Sequence, residues 1–324
     1  MRDVYERQPD VLCLSCYIWN LKYVEELIRE IKKVRPNLKI WTGGPEVSYD
    51  APDVLRRLPE VTGVMKGEGE LTFHALCEAY VQTEQEMTGY EIPDDVLAGI
   101  DGITFRDSNG EVVETPWRQP IDLSEVPFVY EHLEDFEHKI IYYETSRGCP
   151  FACSYCLSSI DKRLRFRSLD LVFRELQFFL NHKVPQVKFV DRTFNCKHDH
   201  ALAIWKYLKE HDNGITNFHF EVSADLLNEE ELEIITAMRP GLIQLEIGVQ
   251  STNPDTIREI HRTMDLDKLA AKVARVNQAG NIHQHLDLIA GLPFEDIKSF
   301  AVSFDDVYRM RPQQLQLGFL KVLK

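Results

Sequence analysis

The sequence lacks any long apolar stretch and any secretion signal. No apolar run approaches the roughly 20 residues needed to span a bilayer. The first six residues, MRDVYE, have neither the basic start nor the apolar core of a signal peptide. We therefore expect no membrane partner and a cytoplasmic location.

Positive charge is also in short supply. The chain has 37 Lys and Arg against 52 Asp and Glu, which gives a formal net charge of -15. Binding to the phosphate backbone usually needs clustered basic residues that release counterions. The acidic balance therefore makes a small molecule a better expected substrate than a nucleic acid. No repeat of 20 to 50 residues is present, which argues against a solenoid.

Cysteine is sparse, and its distribution is uneven. Three of the seven cysteines, Cys149, Cys153 and Cys156, fall within eight consecutive positions. A secreted disulfide scaffold would spread more cysteines over a shorter chain, so the cluster indicates metal binding in a reducing compartment. With 324 residues and 44% hydrophobic content, the chain is long enough to fill the cores of two domains.

The first part of the chain alternates apolar runs with amphipathic segments. Strands are predicted at Val11 to Tyr17, Leu38 to Thr42 and Val61 to Met65, and helices at Leu21 to Val34, Ala51 to Leu58 and Glu70 to Val81. This βα alternation predicts a parallel sheet. A hairpin is expected over residues 101–115 around Asn109-Gly110, followed by a proline-rich linker.

Six further strands are predicted after this linker, with helical segments between them. They are Ile140 to Glu144, Gln186 to Asp191, Phe218 to Ser223, Leu242 to Val249, Ile282 to Ile289 and Leu315 to Leu320. Six successive βα units predict a partial barrel. The expected organisation is therefore an α/β domain over residues 1–100, a hairpin and linker over 101–138, and a partial (β/α)6 barrel over 139–324.

The three clustered cysteines have the spacing C-x3-C-x2-C and follow the first barrel strand. Loops after the strands of α/β barrels carry the chemistry of those folds. Three thiolates on a four-iron cube leave one iron open to a ligand. Two alternatives remain. The three cysteines could be unrelated buried residues, or they could form a zinc site. Such a zinc site would lack its fourth ligand, because no His or further Cys follows until His182.

The cysteine motif, with Tyr155 before its third cysteine, and the six βα units resemble the radical SAM superfamily. The resemblance implies a partial TIM barrel whose Cys149, Cys153 and Cys156 hold a 4Fe-4S cluster. The open iron would bind S-adenosylmethionine, and one electron would cleave it to a 5′-deoxyadenosyl radical. A reductase, flavodoxin or ferredoxin would then be the electron donor.

Four later residues resemble the branch of this superfamily that includes oxygen-independent coproporphyrinogen oxidase. The resemblance implies that Glu221, Gln250, Arg262 and Asp287 contact S-adenosylmethionine, with backbone contacts from Tyr155. Carboxylates and amides accept hydrogen bonds from ribose hydroxyls, and a guanidinium pairs with a carboxylate. The alternative is that Glu221 and Asp287 belong to a structural network at the strand ends.

One segment departs from the superfamily pattern. Asp191 lies in the segment that takes the place of the superfamily's Gly-Gly-Glu, so its role stays open. The nearby Cys196 is expected to be a packing residue, with a substrate-side thiol as the alternative.

The amino-terminal domain resembles the cobalamin-binding domain that precedes many radical SAM barrels. The motifs are SCYIWN from Ser15, TGGPE from Thr42 and KGEGE from Lys66, each after a predicted strand. The resemblance implies cobalamin contacts from Ser15, Gly43, Gly44, Gly67, Glu68 and Gly69. The family domain usually has further βα units before the Val11 strand, so we expect a shortened, Rossmann-like doubly wound domain. No Asp-x-His-x-x-Gly motif is present, so cobalamin is expected to bind without a histidine ligand.

These observations favour a cobalamin-dependent radical SAM enzyme, with methyl transfer to an unidentified small molecule as the expected reaction. One alternative is a radical SAM enzyme whose cobalamin domain is vestigial. Another is a non-catalytic module that senses cobalamin or redox state.

Overall fold

The computed structural model describes residues 1–86 and 91–322, which form two compact units. The first unit covers residues 1–121, and the second begins at Asp122. Among these residues, no helix has the length and apolar character that a membrane span requires.

The first unit is built on a five-stranded sheet in the order β1-β2-β3-β4-β5. Strands β1 to β3 are parallel, and β4 and β5 add an antiparallel hairpin at the edge. In chain order the elements are α1 (Arg2–Arg7), β1 (Val11–Ser15), α2 (Leu21–Val34), β2 (Lys39–Gly43), α3 (Pro45–Ser48), α4 (Ala51–Arg57), β3 (Gly63–Met65), α5 (Glu70–Glu86), α6 (Asp94–Ala98), β4 (Ile103–Arg106) and β5 (Val112–Glu114).

Both faces of this sheet are covered. Successive residues of a strand point to opposite faces. The neighbours Ile40 and Trp41, both fully buried, accordingly belong to two different apolar clusters. Two cores on one sheet are what a doubly wound α/β layer requires.

The second unit is built on a six-stranded parallel sheet in the order β13-β12-β11-β10-β9-β6, with a two-stranded antiparallel ribbon of β7 and β8. In chain order the elements are β6 (Ile141–Tyr143), β7 (Ser146–Arg147), β8 (Arg165–Phe166), α7 (Leu169–Asn181), β9 (Gln186–Phe189), α8 (His198–Glu210), β10 (Asn217–Val222), α9 (Glu229–Thr236), β11 (Ile243–Gln250), α10 (Pro254–Glu259), α11 (Leu266–Ala279), β12 (His283–Ala290), α12 (Ile297–Arg309) and β13 (Gln314–Phe319).

The central strands of this sheet have one apolar and one polar face. Phe218, Phe220, Leu245 and Leu286 are fully buried in a core that the helices share. The alternate positions carry charged and polar side chains, among them Glu246. The polar face is therefore available for a site.

The predicted fold class is confirmed, and all six barrel strands are present with bounds shifted by one or two residues. The helix expected at Leu21 to Val34 has those bounds. The hairpin around Asn109-Gly110 is also present, and it extends the first sheet. The β7–β8 ribbon was not predicted. The limits of the three segments given above stay a prediction.

Candidate functional site

The loop that carries the cysteines is held by backbone hydrogen bonds. The Cys149 amide donates to the carbonyl of Asp161 at 3.1 Å, and the Ser154 amide donates to the carbonyl of Ile260 at 3.0 Å. Just before Cys149, Gly148 has a φ of +94°, and a Cβ there would lie 2.3 Å from the carbonyl oxygen of Arg163. Only glycine fits this turn, because a side chain would collide with backbone.

Asp191 anchors the chain that leads into this loop. Its carboxylate is 1% exposed and accepts three hydrogen bonds. The donors are the Thr145 amide at 3.1 Å, the Thr145 hydroxyl at 2.7 Å and the Ser146 hydroxyl at 2.5 Å. Burial raises the pKa of Asp191 to about 6, although these hydrogen bonds act in the opposite direction. Asp191 therefore ties the end of β9 to the segment before the cysteines.

The three cysteines share one cavity with all five residues that the resemblance assigned to S-adenosylmethionine. The cavity is lined by Cys149, Cys153, Tyr155, Cys156, Glu221, Gln250, Arg262 and Asp287. These residues come from the cysteine loop, from β10, β11 and β12, and from the segment after α10. The carboxyl ends of parallel strands meet at one edge of a sheet, which explains how positions more than 130 residues apart are brought together.

Arg262 connects the cysteine loop to the sheet. Its guanidinium donates to the Tyr155 hydroxyl at 3.1 Å and to the carbonyl of Gly248, and it lies 3.9 Å from the Cys153 sulfur. The Arg262 Nε is buried and has no hydrogen-bond partner among the described residues. Burial raises the pKa of Tyr155 despite the opposing effect of Arg262, so the phenol stays protonated.

Gln250 lies at an irregular point of β11. The register with β12 shifts between Gly248 and Gln250, and Gln250 has a φ of +74°. A Cβ on Gly248 would lie 2.4 Å from Gln250 Nε2, so the missing side chain makes room for the amide. The Gln250 Oε1 is buried without a partner in the part of the chain that the structure describes. Such strained positions are concentrated at ligand sites.

Two carboxyl groups that line the cavity have raised pKa values. Burial, with the nearby Glu246 carboxylate, raises the pKa of Asp287 to about 7 and also raises the pKa of Glu221. His285 Nε2 lies 3.0 Å from Asp287 Oδ1, but the pair lacks hydrogen-bond geometry. Asp287 Oδ1 is therefore a buried acceptor without a donor among the described residues.

Glu246 also lines the cavity and was not predicted from the sequence. The approach of His219, at 3.0 Å, and a 2.9 Å hydrogen bond from Lys188 lower the pKa of Glu246 to about 2. The available signal was the polar alternation of Gln244, Glu246 and Gln250 in a strand expected to be buried.

The donor set of the cavity fits an iron-sulfur cluster. A four-iron cube takes one thiolate per iron, and the three thiols that line the cavity would leave one iron open to a ligand. Among residues 1–86 and 91–322, no three His, Cys, Asp or Glu side chains are grouped as a single ion would require. The unpartnered atoms of Gln250, Arg262 and Asp287 supply acceptors and a donor for a polar ligand beside the thiols.

In the first unit, the predicted cobalamin contacts lie at one edge of the sheet. Ser15 pairs with Gly43, and Gly43 pairs with Met65, so the three strands end together. Gly44, with a φ of +99°, packs so closely that a Cβ would lie 2.6 Å from the carbonyl oxygen of Cys16. The edge is therefore formed by closely packed backbone.

The third strand of this edge continues into the Gly67–Gly69 turn. Gly67 has a φ of +70°, and its amide donates to the Ser48 hydroxyl at 3.3 Å. Glu68 accepts a hydrogen bond from the Ile121 amide at 3.2 Å, and a Cβ on Gly69 would meet nothing within 4 Å. Glu68 therefore has a partner within the first unit, and Gly69 leaves open space.

Two known families match separate parts of the chain. The Radical SAM superfamily matches residues 143–307, and the B12 binding domain matches residues 1–77. The cobalamin-dependent radical SAM methyltransferase TokK of Streptomyces tokunonensis is 27% identical over 314 residues, which is 90% of this chain and 44% of TokK. The 2-(S-pantetheinyl)-carbapenam-3-carboxylate methyltransferase of Streptantibioticus cattleyicolor is 27% identical over 301 residues, with the same shares of each chain.

The chain thus spans less than half the length of these two relatives. Among solved structures, the radical S-adenosylmethionine methyltransferase TsrM of Kitasatospora setae, with cobalamin and a 4Fe-4S cluster bound, superimposes with a TM-score of 0.75 at 17% identity. The match covers 99% of this chain and 66% of TsrM. The first 77 residues thus match the B12 binding domain, and the chain belongs to the radical SAM superfamily.

Proposed function

We propose that the protein is a cobalamin-dependent radical SAM methyltransferase that acts on a small molecule. The observation that carries this proposal is the single cavity in which three cysteines meet the five residues assigned to S-adenosylmethionine. The names of TokK and of the carbapenam-3-carboxylate methyltransferase both state methyltransferase activity, which supports methyl transfer over other radical outcomes.

In the proposed site, Cys149, Cys153 and Cys156 would hold the cluster, and the S-adenosylmethionine contacts would come from Tyr155, Glu221, Gln250, Arg262 and Asp287. When bound, the cluster and S-adenosylmethionine supply reductive cleavage to a 5′-deoxyadenosyl radical, and cobalamin supplies methyl transfer. Gly43, Gly44 and the Gly67–Gly69 turn would let a flat ligand approach the backbone of the first sheet, with Ser15 and Glu68 beside it.

Side chains of the cavity offer S-adenosylmethionine a cation and hydrogen-bond acceptors. Arg262, held by Tyr155 and the Gly248 carbonyl, presents a fixed cation that can pair with the methionine carboxylate. Gln250 Oε1 and Asp287 Oδ1 present acceptors for ribose hydroxyls. A flavodoxin or ferredoxin is the proposed electron donor.

The test uses the anaerobically reconstituted protein with and without cobalamin, given S-adenosylmethionine and a low-potential reductant. Iron and cobalt content and the yields of 5′-deoxyadenosine and S-adenosylhomocysteine are measured, because neither product requires the unknown substrate. The proposal predicts bound cobalt, 5′-deoxyadenosine, and S-adenosylhomocysteine that depends on cobalamin. A Cys153→Ala variant should form no 5′-deoxyadenosine.

The outcomes separate the alternatives. Formation of 5′-deoxyadenosine without cobalt binding would refute the cobalamin part and leave a radical SAM enzyme with a vestigial first domain. Cobalt binding without either product would refute turnover and favour a sensing module.

A further inference from the structure

A layer of charged side chains lies on the polar face of the barrel sheet, and its carboxyl groups line the cavity. Lys188 of β9 reaches across β10 and donates to Glu246 Oε2 of β11 at 2.9 Å. His219 Nε2 lies 3.0 Å from the same oxygen, and its side chain is 9% exposed. Glu246 therefore contacts both an ammonium and an imidazole of this layer.

Among the described residues, neither of the other two carboxyl groups in this cavity forms a salt bridge with a Lys or an Arg. Glu221 pairs in register with Glu246, and Asp287 pairs with Gly248 two residues further along β11. Three carboxyl groups thus share one cavity. Three carboxyl groups in one cavity cannot all be ionised without a large free-energy cost. The carboxyl group that is hydrogen-bonded to Lys188, that of Glu246, therefore stays charged.

The other titratable groups that surround this layer do not supply Glu221 and Asp287 with a paired positive charge. Arg192 lines the cavity but is exposed, and Arg262 is directed to Tyr155 and Gly248. His285 is beside Asp287, but burial lowers the pKa of this imidazole, so it stays neutral near pH 7. His283 lies exposed at the start of β12.

We propose that Glu246 is a positioning residue: by pairing with Lys188 and His219 it keeps a proton on Asp287 in the ligand-free cavity, and this proton is released to water when S-adenosylmethionine binds. The inference rests on the proposed function, since it concerns the same ligand. The step forms hydrogen bonds from the ligand to the Asp287 carboxylate and breaks only the Asp287 O–H bond.

The pKa values of the two carboxyl groups agree with an ionised Glu246 and a protonated Asp287. The pKa of Glu246 is about 2, so this group is the ionised one, and the pKa of Asp287 is about 7. S-adenosylmethionine carries a sulfonium charge and hydroxyl donors. Both favour the carboxylate over the carboxyl form of Asp287, so binding lowers the pKa of Asp287 and expels its proton.

The experiment is a calorimetric titration of the anaerobically reconstituted, unreduced protein with S-adenosylmethionine at pH 7. Repeating it in buffers of different ionisation enthalpy gives the number of protons released. Because the pKa of Asp287 is about 7, a substantial fraction of the ligand-free protein carries this proton at pH 7, so the wild-type protein should release a measurable fraction of a proton more than Asp287→Asn. Protons from the ligand's own amino group are common to all variants and cancel in the difference.

The decisive variant is Glu246→Gln, which removes the charge that keeps Asp287 protonated. Burial, the larger cause of the raised pKa of Asp287, remains in this variant, so its proton release should fall from the wild-type value toward that of Asp287→Asn. Because this change leaves Lys188 without its partner, the double variant Lys188→Met/Glu246→Gln is tested in parallel, with the same expectation. Glu230→Gln, which removes an exposed partner of Lys206 outside the cavity, is the matched control and should behave as wild type.

Wild-type proton release by both Glu246 variants would overturn the inference, as would equal release by the wild type and Asp287→Asn. If those results came with normal formation of 5′-deoxyadenosine, the proposed function would stand and only the inference would fail. A reconstituted wild-type protein that does not bind S-adenosylmethionine would overturn both.

Discussion

Replacing Asp191 with alanine should loosen the segment that leads into the cysteine loop. The change removes the acceptor of three buried donors, the Thr145 amide and the hydroxyls of Thr145 and Ser146. An unmet buried donor costs about 1–3 kcal/mol. The two hydroxyls can turn to other acceptors, so the irreplaceable loss is that of the Thr145 amide, and relief of the buried carboxylate offsets part of the total. We expect a net loss of about 3 kcal/mol in the local opening free energy.

Hydrogen exchange measured by mass spectrometry on peptides covering residues 140–156 reports this opening directly. Since about 1.4 kcal/mol corresponds to a factor of ten, exchange of the Thr145 region should become about two orders of magnitude faster. Asp191→Asn, which keeps one acceptor oxygen, should show a smaller increase. Asp199→Ala, at an exposed position in the first turn of α8, is the control and should leave exchange unchanged. Wild-type exchange in Asp191→Ala would refute the anchoring role.

Two further predictions concern the other proposed ligand contacts. Gly44→Ala should weaken cobalamin binding more than tenfold in an absorbance titration, because its Cβ would meet the carbonyl of Cys16. The control is Gly110→Ala, which has a similarly positive φ but open space around the added Cβ and should bind cobalamin normally. Arg262→Lys should weaken S-adenosylmethionine binding about 10- to 100-fold in calorimetric titrations, because an ammonium cannot replace the fork that spans the cavity. Arg258→Lys, exposed on α10, should bind as wild type, and equal affinities for the two variants would contradict the assignment.

The sheet elements were predictable because their signals are local. Short segments with regularly placed apolar residues between turn residues predict strands, and in β10, β11 and β12 these apolar residues alternate with polar ones. The β7–β8 ribbon was not predictable in this way, because each strand has two residues and its pairing depends on the return of the chain from the cysteine loop.

The residues of the site also differ in how far the sequence alone predicts them. The cysteines and the four later residues are marked by short motifs, and the structure brings them to one cavity. Glu246 has no motif, and its importance depends on contacts with Lys188 and His219, which come from positions 58 and 27 residues earlier in the chain. Asp191 likewise acquires its role only through the three donors that the fold places around it.

The alternation along β10, β11 and β12 separates two tasks on the same strands. Phe218, Phe220 and Leu245 hold the helices in place, while Glu221 and Glu246, at the positions between them, meet the cavity. Because the two sets point to opposite faces, substitutions in one set leave the packing of the other largely untouched. Substitutions at the cavity-facing positions would therefore change the contacts to the ligand while leaving the apolar core of the barrel in place, so loss of ligand binding and loss of folding can be separated experimentally.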